Sequence, residues 1–142
     1  VVTGSTISFT LAVLSVPVFD TVRVMVARVL NGRSPFSPDK THLHHMFIDL
    51  GFSHVITAVN IIALNSLVVF IWHVCNVFNL SAEVQLYVTI AAGVMVTSGL
   101  YYGVDYIKQH HATLYSKMQD FVGKYSIKRT GLFLKLQDVL DR

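Results

Sequence analysis

The residues best suited to chemistry lie between Ser34 and His45, where the chain reads SPFSPDKTHLHH. Two prolines, an aspartate, a lysine and three histidines stand together there between very apolar flanks. Pro35 and Pro38 prevent helix continuation and force extended or turning backbone through Asp39, which predicts that His42, His44 and His45 emerge on irregular chain. Connections of this kind on a rigid scaffold are where sites are usually built. A zinc helix does not fit, because the adjacent His44 and His45 cannot share one helix face and no Cys supports a zinc-finger pattern. Spacing alone leaves two readings open. In the bland one the imidazoles are solvated or locally hydrogen-bonded. In the functional one Arg28, Arg33, Lys40 and the imidazoles bind an anion: a phosphate favours imidazole protonation, and arginine holds phosphate oxygens bidentately. Asp39 would orient an imidazole, help position a divalent cation, or serve structure alone.

The elements that must hold this cluster are membrane helices. The chain has 142 residues, 53% of them hydrophobic and only 13% charged, with a mean hydropathy of +0.56 and a pI near 9.1; this composition departs from that of an ordinary soluble domain. Residues 55 to 78 contain no Asp, Glu, Lys or Arg, and a helix of that length rises about 36 Å against a hydrocarbon core of about 30 Å. A second span covers residues 83 to 106, with Tyr101, Tyr102 and Tyr106 at one end like an interfacial aromatic belt and Asp105 at its exit. The opening run from Val1 to Val18 is shorter, starts abruptly without an initiator methionine, and is expected to be a span truncated by a fragment boundary. No secretory signal is recognisable. The expected fold class is therefore all-α: a polytopic α-helical membrane protein fragment with one truncated and two full transmembrane helices.

All eleven Lys and Arg residues fall in two places, four from Arg23 to Lys40 and seven from Lys108 to Arg142. By the positive-inside rule the connection spanning residues 19 to 54 and the tail spanning 107 to 142 are cytoplasmic, and the turn at Asn79, Leu80 and Ser81 faces the other side. Ser81 is a helix cap candidate, with Glu83 in the following first turn. Within the connection, DTVRVMVARVLNGR predicts a short cytosolic helix with Asp20 as N-cap, an apolar stripe at Val22, Met25, Val26 and Val29, and Asn31-Gly32 as the stop. Arg23 and Arg28 interrupt it as polar residues.

Inside the spans, Gly99 and Gly103 form a small-residue pair that would let another helix approach. Asn60, Asn65 and His73 are polar groups at membrane depth and are expected to face protein, a wet cavity or the interface. Asn60 and Asn65 lie about 140° apart around a helix and do not make one site. Cys75, the single cysteine, is expected to be a small apolar filler. Beyond Ile107 two amphipathic helices are expected: Leu114, Met118, Phe121, Val122 and Tyr125 carry the first stripe, and Leu132, Phe133, Leu136, Val139 and Leu140 the second. Their lysines suit anionic lipid, and either helix could instead dock on the rest of the protein or on a second copy.

The run from Pro17 through Asp20 and Arg28 to SPFSPDKTHLHH, followed by Gly51-Phe52-Ser53, closely resembles the last cytoplasmic loop of the polyprenyl-phosphate N-acetylhexosamine-1-phosphate transferases. That family includes the enzymes that initiate O-antigen, enterobacterial common antigen and teichoic acid synthesis, and it is related to the phospho-N-acetylmuramoyl-pentapeptide transferase. The specific likeness covers about residues 17 to 53. It implies a multi-span enzyme of the bacterial inner membrane that moves a sugar 1-phosphate from a UDP-N-acetylhexosamine to undecaprenyl phosphate, releasing UMP, with Mg²⁺ or Mn²⁺. It also implies that Arg28, His42, His44 and His45 contact the nucleotide-sugar diphosphate or shape its pocket, with Asp39 and Lys40 in the same substrate-binding motif. Lys40 stands where many members have Arg, and Leu43 where many have Ile; the lysine loses a fork-like contact. The family's aspartate-rich motifs, which hold the metal, are absent from these residues, so no catalytic or metal-ligating residue is assigned here and this piece alone is expected to be inactive. A homodimer is possible, and no nucleic-acid partner is expected. Two rival classes are a non-catalytic membrane interaction subunit, which leaves the Pro-Asp-His cluster unexplained, and a His-rich cation transporter fragment, which requires acidic residues on the spans that they nearly lack.

Overall fold

The computed structural model describes residues 4 to 38 and 40 to 125. Every regular element among them is helical: α1 (Gly4–Val13), α2 (Ser15–Leu30), α3 (Leu43–Asp49), α4 (His54–Val77), α5 (Ala82–Val94), a π-helical segment at Met95–Gly99, α6 (Leu100–His110) and α7 (Ala112–Tyr125). Asp39 and the expected amphipathic helix around residues 132 to 140 lie outside the described residues.

Two helices are long and apolar enough to cross a membrane, His54–Val77 and the continuous Ala82–His110. The first begins one residue before the span read from the sequence, with Ser53 Oγ accepting from the Ile56 N–H. Ser81 caps the second through the Val84 N–H, with Glu83 in its first turn. The turn between them is closed by Asn79 at a φ of 53°, a left-handed conformation that asparagine tolerates better than most residues. Carrying no charge over most of its length, α4 leaves Val55, Val59, Ile62, Phe70 and Val77 exposed, as a lipid-facing helix does.

The opening run is not one straight span. α1 and α2 bend by 74° about Leu14, and the cause is Pro17, which has no N–H to offer the carbonyl four residues back, that of Val13. Asn65 on α4 takes the place of the missing donor: its Nδ2 reaches Val13 O at 2.8 Å, while its Oδ1 accepts from the Val16 N–H at 3.2 Å and from Ser15 Oγ at 3.1 Å. The asparagine at membrane depth thus faces protein, where a freed backbone group must find a partner. At the far end Ser8 plays the same part between helices, donating to Gln85 Oε1 and accepting from Trp72 Nε1. His73 is exposed and Cys75 buried.

α1 packs against α4 and α5, and α2 crosses α5 and the π-helical segment. The closest approach is at Gly93, where a Cβ would fall inside the Phe19 ring. Gly99 and Gly103, the pair expected to admit a helix, meet nothing within 4 Å; they pack on no described element. The π-helical turn at Met95–Gly99 inserts a residue into the register and turns the following Leu100, Tyr101 and Val104 toward the apolar cluster of Val16, Leu43, Met46 and Phe47. That cluster is the platform under the histidines.

Candidate functional site

The helix expected to start at Asp20 starts at Ser15 instead, with Pro17 in its first turn, where an N–H has no acceptor within α2 itself. Asn31-Gly32 stops it as expected, Gly32 taking a φ of 68°. Its inward side is the reverse of the expected stripe: Val22, Val26 and Val29 are about half exposed, whereas Asp20 and Arg23 are buried at 7% and 6% exposure. Two charges turn inward because they satisfy each other, Arg23 Nη2 lying 2.7 Å from Asp20 Oδ1, and because each has further partners. Arg23 Nη2 also donates to Thr41 O at 2.6 Å, and the guanidinium lies 3.7 Å from the centre of the Tyr101 ring. Such further contacts offset the desolvation of a buried ion pair, although Arg23 Nε itself has no hydrogen-bond partner among the described residues.

Asp20 caps a helix, but not its own. Both carboxylate oxygens accept from the Leu43 N–H at 3.2 Å, and Oδ2 receives Nδ1 of His42 at 2.9 Å. One buried carboxylate therefore fastens the start of α3, which His42 opens as N-cap residue. The irregular chain expected at the histidines is thus replaced, after His42, by a short helix. The signal for it was legible: Leu43, Met46, Phe47 and Leu50 recur at the spacing of one helix face, and all four are buried. His44 and His45 take the remaining surface, His44 exposed and His45 half-buried.

The three imidazoles form a row. The His42 and His44 rings stack at 5.9 Å and 17°, and those of His44 and His45 lie 4.1 Å apart. Because Nδ1 of His42 donates to a carboxylate, its tautomer and orientation are set and Nε2 is left for a ligand. Partial burial, then charge repulsion from His45 and His42, holds His44 below the ordinary histidine value. Three rings this close repel one another when protonated, and a bound anion would offset that repulsion.

Arg28 donates to Pro35 O, tying the end of α2 to the proline-stiffened turn. Together with Arg33 it lines a pocket of about 270 Å³ shared with Arg23, Tyr101, Tyr102 and Asp105. Lys40 is exposed and lies beside a smaller cleft on the other side of Tyr101, near Asp49 and Lys108. The residues expected to act together thus fall into the imidazole row, the arginine pocket and the Lys40 cleft, joined by the Asp20–Arg23–Tyr101 stack. Sequence reading missed Asp20 and Arg23 as the pivot; the signal was an acid and a base three positions apart on one helical face. The expected substrate-binding role of Asp39 falls outside the described residues. Among the described residues no group of three His, Cys, Asp or Glu side chains is placed to hold a metal ion. α7 closes the assembly from below, Gln119 Nε2 donating to Asp49 O at 2.9 Å.

No protein-family model matches the chain, and no solved structure matches it. A 43-residue stretch, 30% of the chain, is 54% identical to the decaprenyl-phosphate N-acetylglucosaminephosphotransferase of Mycolicibacterium smegmatis and 51% identical to that of Mycobacterium tuberculosis. A 41-residue stretch is 42% identical to the undecaprenyl-phosphate alpha-N-acetylglucosaminyl 1-phosphate transferase of Escherichia coli. In each case the aligned stretch covers 11% of the relative's length. Over that stretch this helical membrane chain is similar to the polyprenyl-phosphate N-acetylglucosaminephosphotransferases.

Proposed function

We propose that the chain is part of a membrane phosphoglycosyltransferase that moves N-acetylhexosamine 1-phosphate from a UDP-sugar to undecaprenyl phosphate, at the cytoplasmic face of a bacterial inner membrane. In that reaction an oxygen of the lipid phosphate attacks the sugar-bearing phosphorus of the diphosphate, the bond to UMP breaks, and UMP leaves. Negative charge builds up between the two phosphates, so fixed donors aimed at it lower the barrier. The observation that carries the reading is the clamp on His42: a buried carboxylate fixes its Nδ1 and presents a row of three imidazoles beside an arginine pocket. His42, His44 and His45 would engage the diphosphate, with Arg28 and Lys40 supplying positive charge at its flanks.

Mg²⁺ or Mn²⁺, which the resemblance implies, does not fit the described residues. Asp20, the buried carboxylate nearest the histidines, is occupied by Arg23, Leu43 and His42; metal ligands would have to lie elsewhere, and no step is assigned to a metal here. If the enzyme is a homodimer, the open face at Gly99 and Gly103 is available to the second copy. The test is UMP-dependent exchange of the sugar 1-phosphate in membranes carrying the complete protein. Exchange that depends on His42 supports the reading; exchange indifferent to all three imidazoles overturns it.

A further inference from the structure

The sequence leaves α7 three partners: anionic lipid, the rest of the protein or a second copy. The structure gives one side of the helix to the rest of the protein. Tyr115, Met118 and Val122 turn inward, Val122 being buried. Gln119 Nε2 donates to Asp49 O at 2.9 Å, the Tyr115 hydroxyl lies 3.5 Å from the same oxygen, and Val122 Cγ1 is 3.8 Å from where a Cβ would stand at Gly51. On the adjoining side Leu114 and Phe121 are 48% and 63% exposed. Lys117 and Lys124 follow three residues after each, about 60° further round the helix, and both are exposed. Asp120, the acid of α7, stands beyond the lysines, away from the apolar pair.

The placement of α7 sets what that side meets. The turn between α4 and α5 makes α4 and the Ala82–His110 helix antiparallel neighbours, so His54 and His110 lie at the same end of the pair. The second helix has 29 residues and the first 24, an excess of about 7 Å. α7 leaves from the projecting end, at His111, and returns to Asp49 and Gly51, just ahead of α4. A helix held between those two points lies across the ends of two apolar spans, at the depth of lipid headgroups.

We propose that α7 is an interfacial helix seated on an anionic bilayer surface, with Leu114 and Phe121 entering the acyl boundary and Lys117 and Lys124 reaching the negative headgroups. An apolar pair alone would suit many covers; lysines along its outer edge complement a negatively charged one. Their stems lie along apolar surface while the ammonium groups stay among the headgroups. Through Gln119 the same helix holds the end of α3, so lipid that seats α7 also steadies the helix that carries His44 and His45. The proposal requires no UDP-sugar and stands apart from the transferase reading.

Nitroxide labels are placed in the complete protein at Phe121→Cys or Ser116→Cys, with Cys75→Ala and any further cysteine replaced, and the protein is reconstituted in nanodiscs. Collision with oxygen, which concentrates in acyl chains, is compared with collision with a water-soluble nickel chelate. Both positions are exposed and lie off the inward face, so α7 stays docked. In discs of phosphatidylcholine with phosphatidylglycerol, position 121 should favour oxygen and position 116, about 140° away, the chelate. Lys117→Gln with Lys124→Gln, or phosphatidylcholine alone, should shift position 121 toward water by about thirtyfold, about fivefold for each lysine. A label at 121 that meets neither reagent marks cover by protein or by a second copy and overturns the proposal. So does one that favours the chelate, which leaves the stripe in solvent. Oxygen preference indifferent to both the lysines and phosphatidylglycerol also overturns it, because charge complementarity would then play no part.

Discussion

Asp20 Oδ2 and His42 Nδ1 lie 2.9 Å apart across 22 positions of sequence, and this contact joins α2 to the histidine segment. The same carboxylate neutralises the buried Arg23. Asp20→Ala would leave that guanidinium without its counter-charge, at a cost of about 3–5 kcal/mol. His42→Ala removes one partner of several and should cost about 1–2 kcal/mol. Thermal unfolding in detergent should rank the two variants in that order.

Arg28→Ala or His42→Ala in the complete protein should lower turnover by about a hundredfold, as removal of one preorganised donor of about 3 kcal/mol does. Membrane insertion should be unaffected. Wild-type turnover in both variants would count against the proposed role.

His44, although exposed, is held below the ordinary histidine value chiefly by partial desolvation, then by charge repulsion from His45 and His42. The unfolded chain therefore takes up the proton first as pH falls, and stability declines from about pH 6.5 down through the lowered folded value. Above that window the contribution is fully present. His44→Gln should flatten this part of the stability profile, and denaturant midpoints at pH 8 and pH 5 would show it.

Asn65→Leu should cost about 1–3 kcal/mol, because Val13 O and the Val16 N–H both lose their side-chain partner in surroundings without water. Pro17→Ala restores an N–H able to reach Val13 O. In a double-mutant cycle the Asn65 penalty should therefore shrink in the Pro17→Ala background. Equal penalties in both backgrounds would disconnect the asparagine from the bend.

Gly93→Ala drives a methyl into the Phe19 ring and should destabilise by about 1–3 kcal/mol, an overpacking cost. Gly99→Ala and Gly103→Ala meet open space and should lie within about 0.5 kcal/mol of wild type in a monomer. A larger effect at Gly99 or Gly103, together with loss of chemical cross-linking between copies, would place a second copy on that face.

The sequence by itself determined the two long apolar helices, the cap at Ser81 and the stop at Asn31-Gly32, because these depend on local chemistry: an uninterrupted apolar run, a hydroxyl before a helix, a residue free to take positive φ. It also singled out the segment with the histidines, whose composition is foreign to its flanks. Tertiary structure decided what local pattern could not. Val22, Val26 and Val29 read as a buried stripe, yet Asp20 and Arg23 turn inward, because partners distant in sequence, Leu43, Thr41, His42 and Tyr101, compensate their desolvation. The same holds for Asn65, a costly polar residue until the carbonyl freed by Pro17 is brought to it. Apolar burial follows from a residue's own side chain, whereas burial of a polar group depends on which partner the fold delivers.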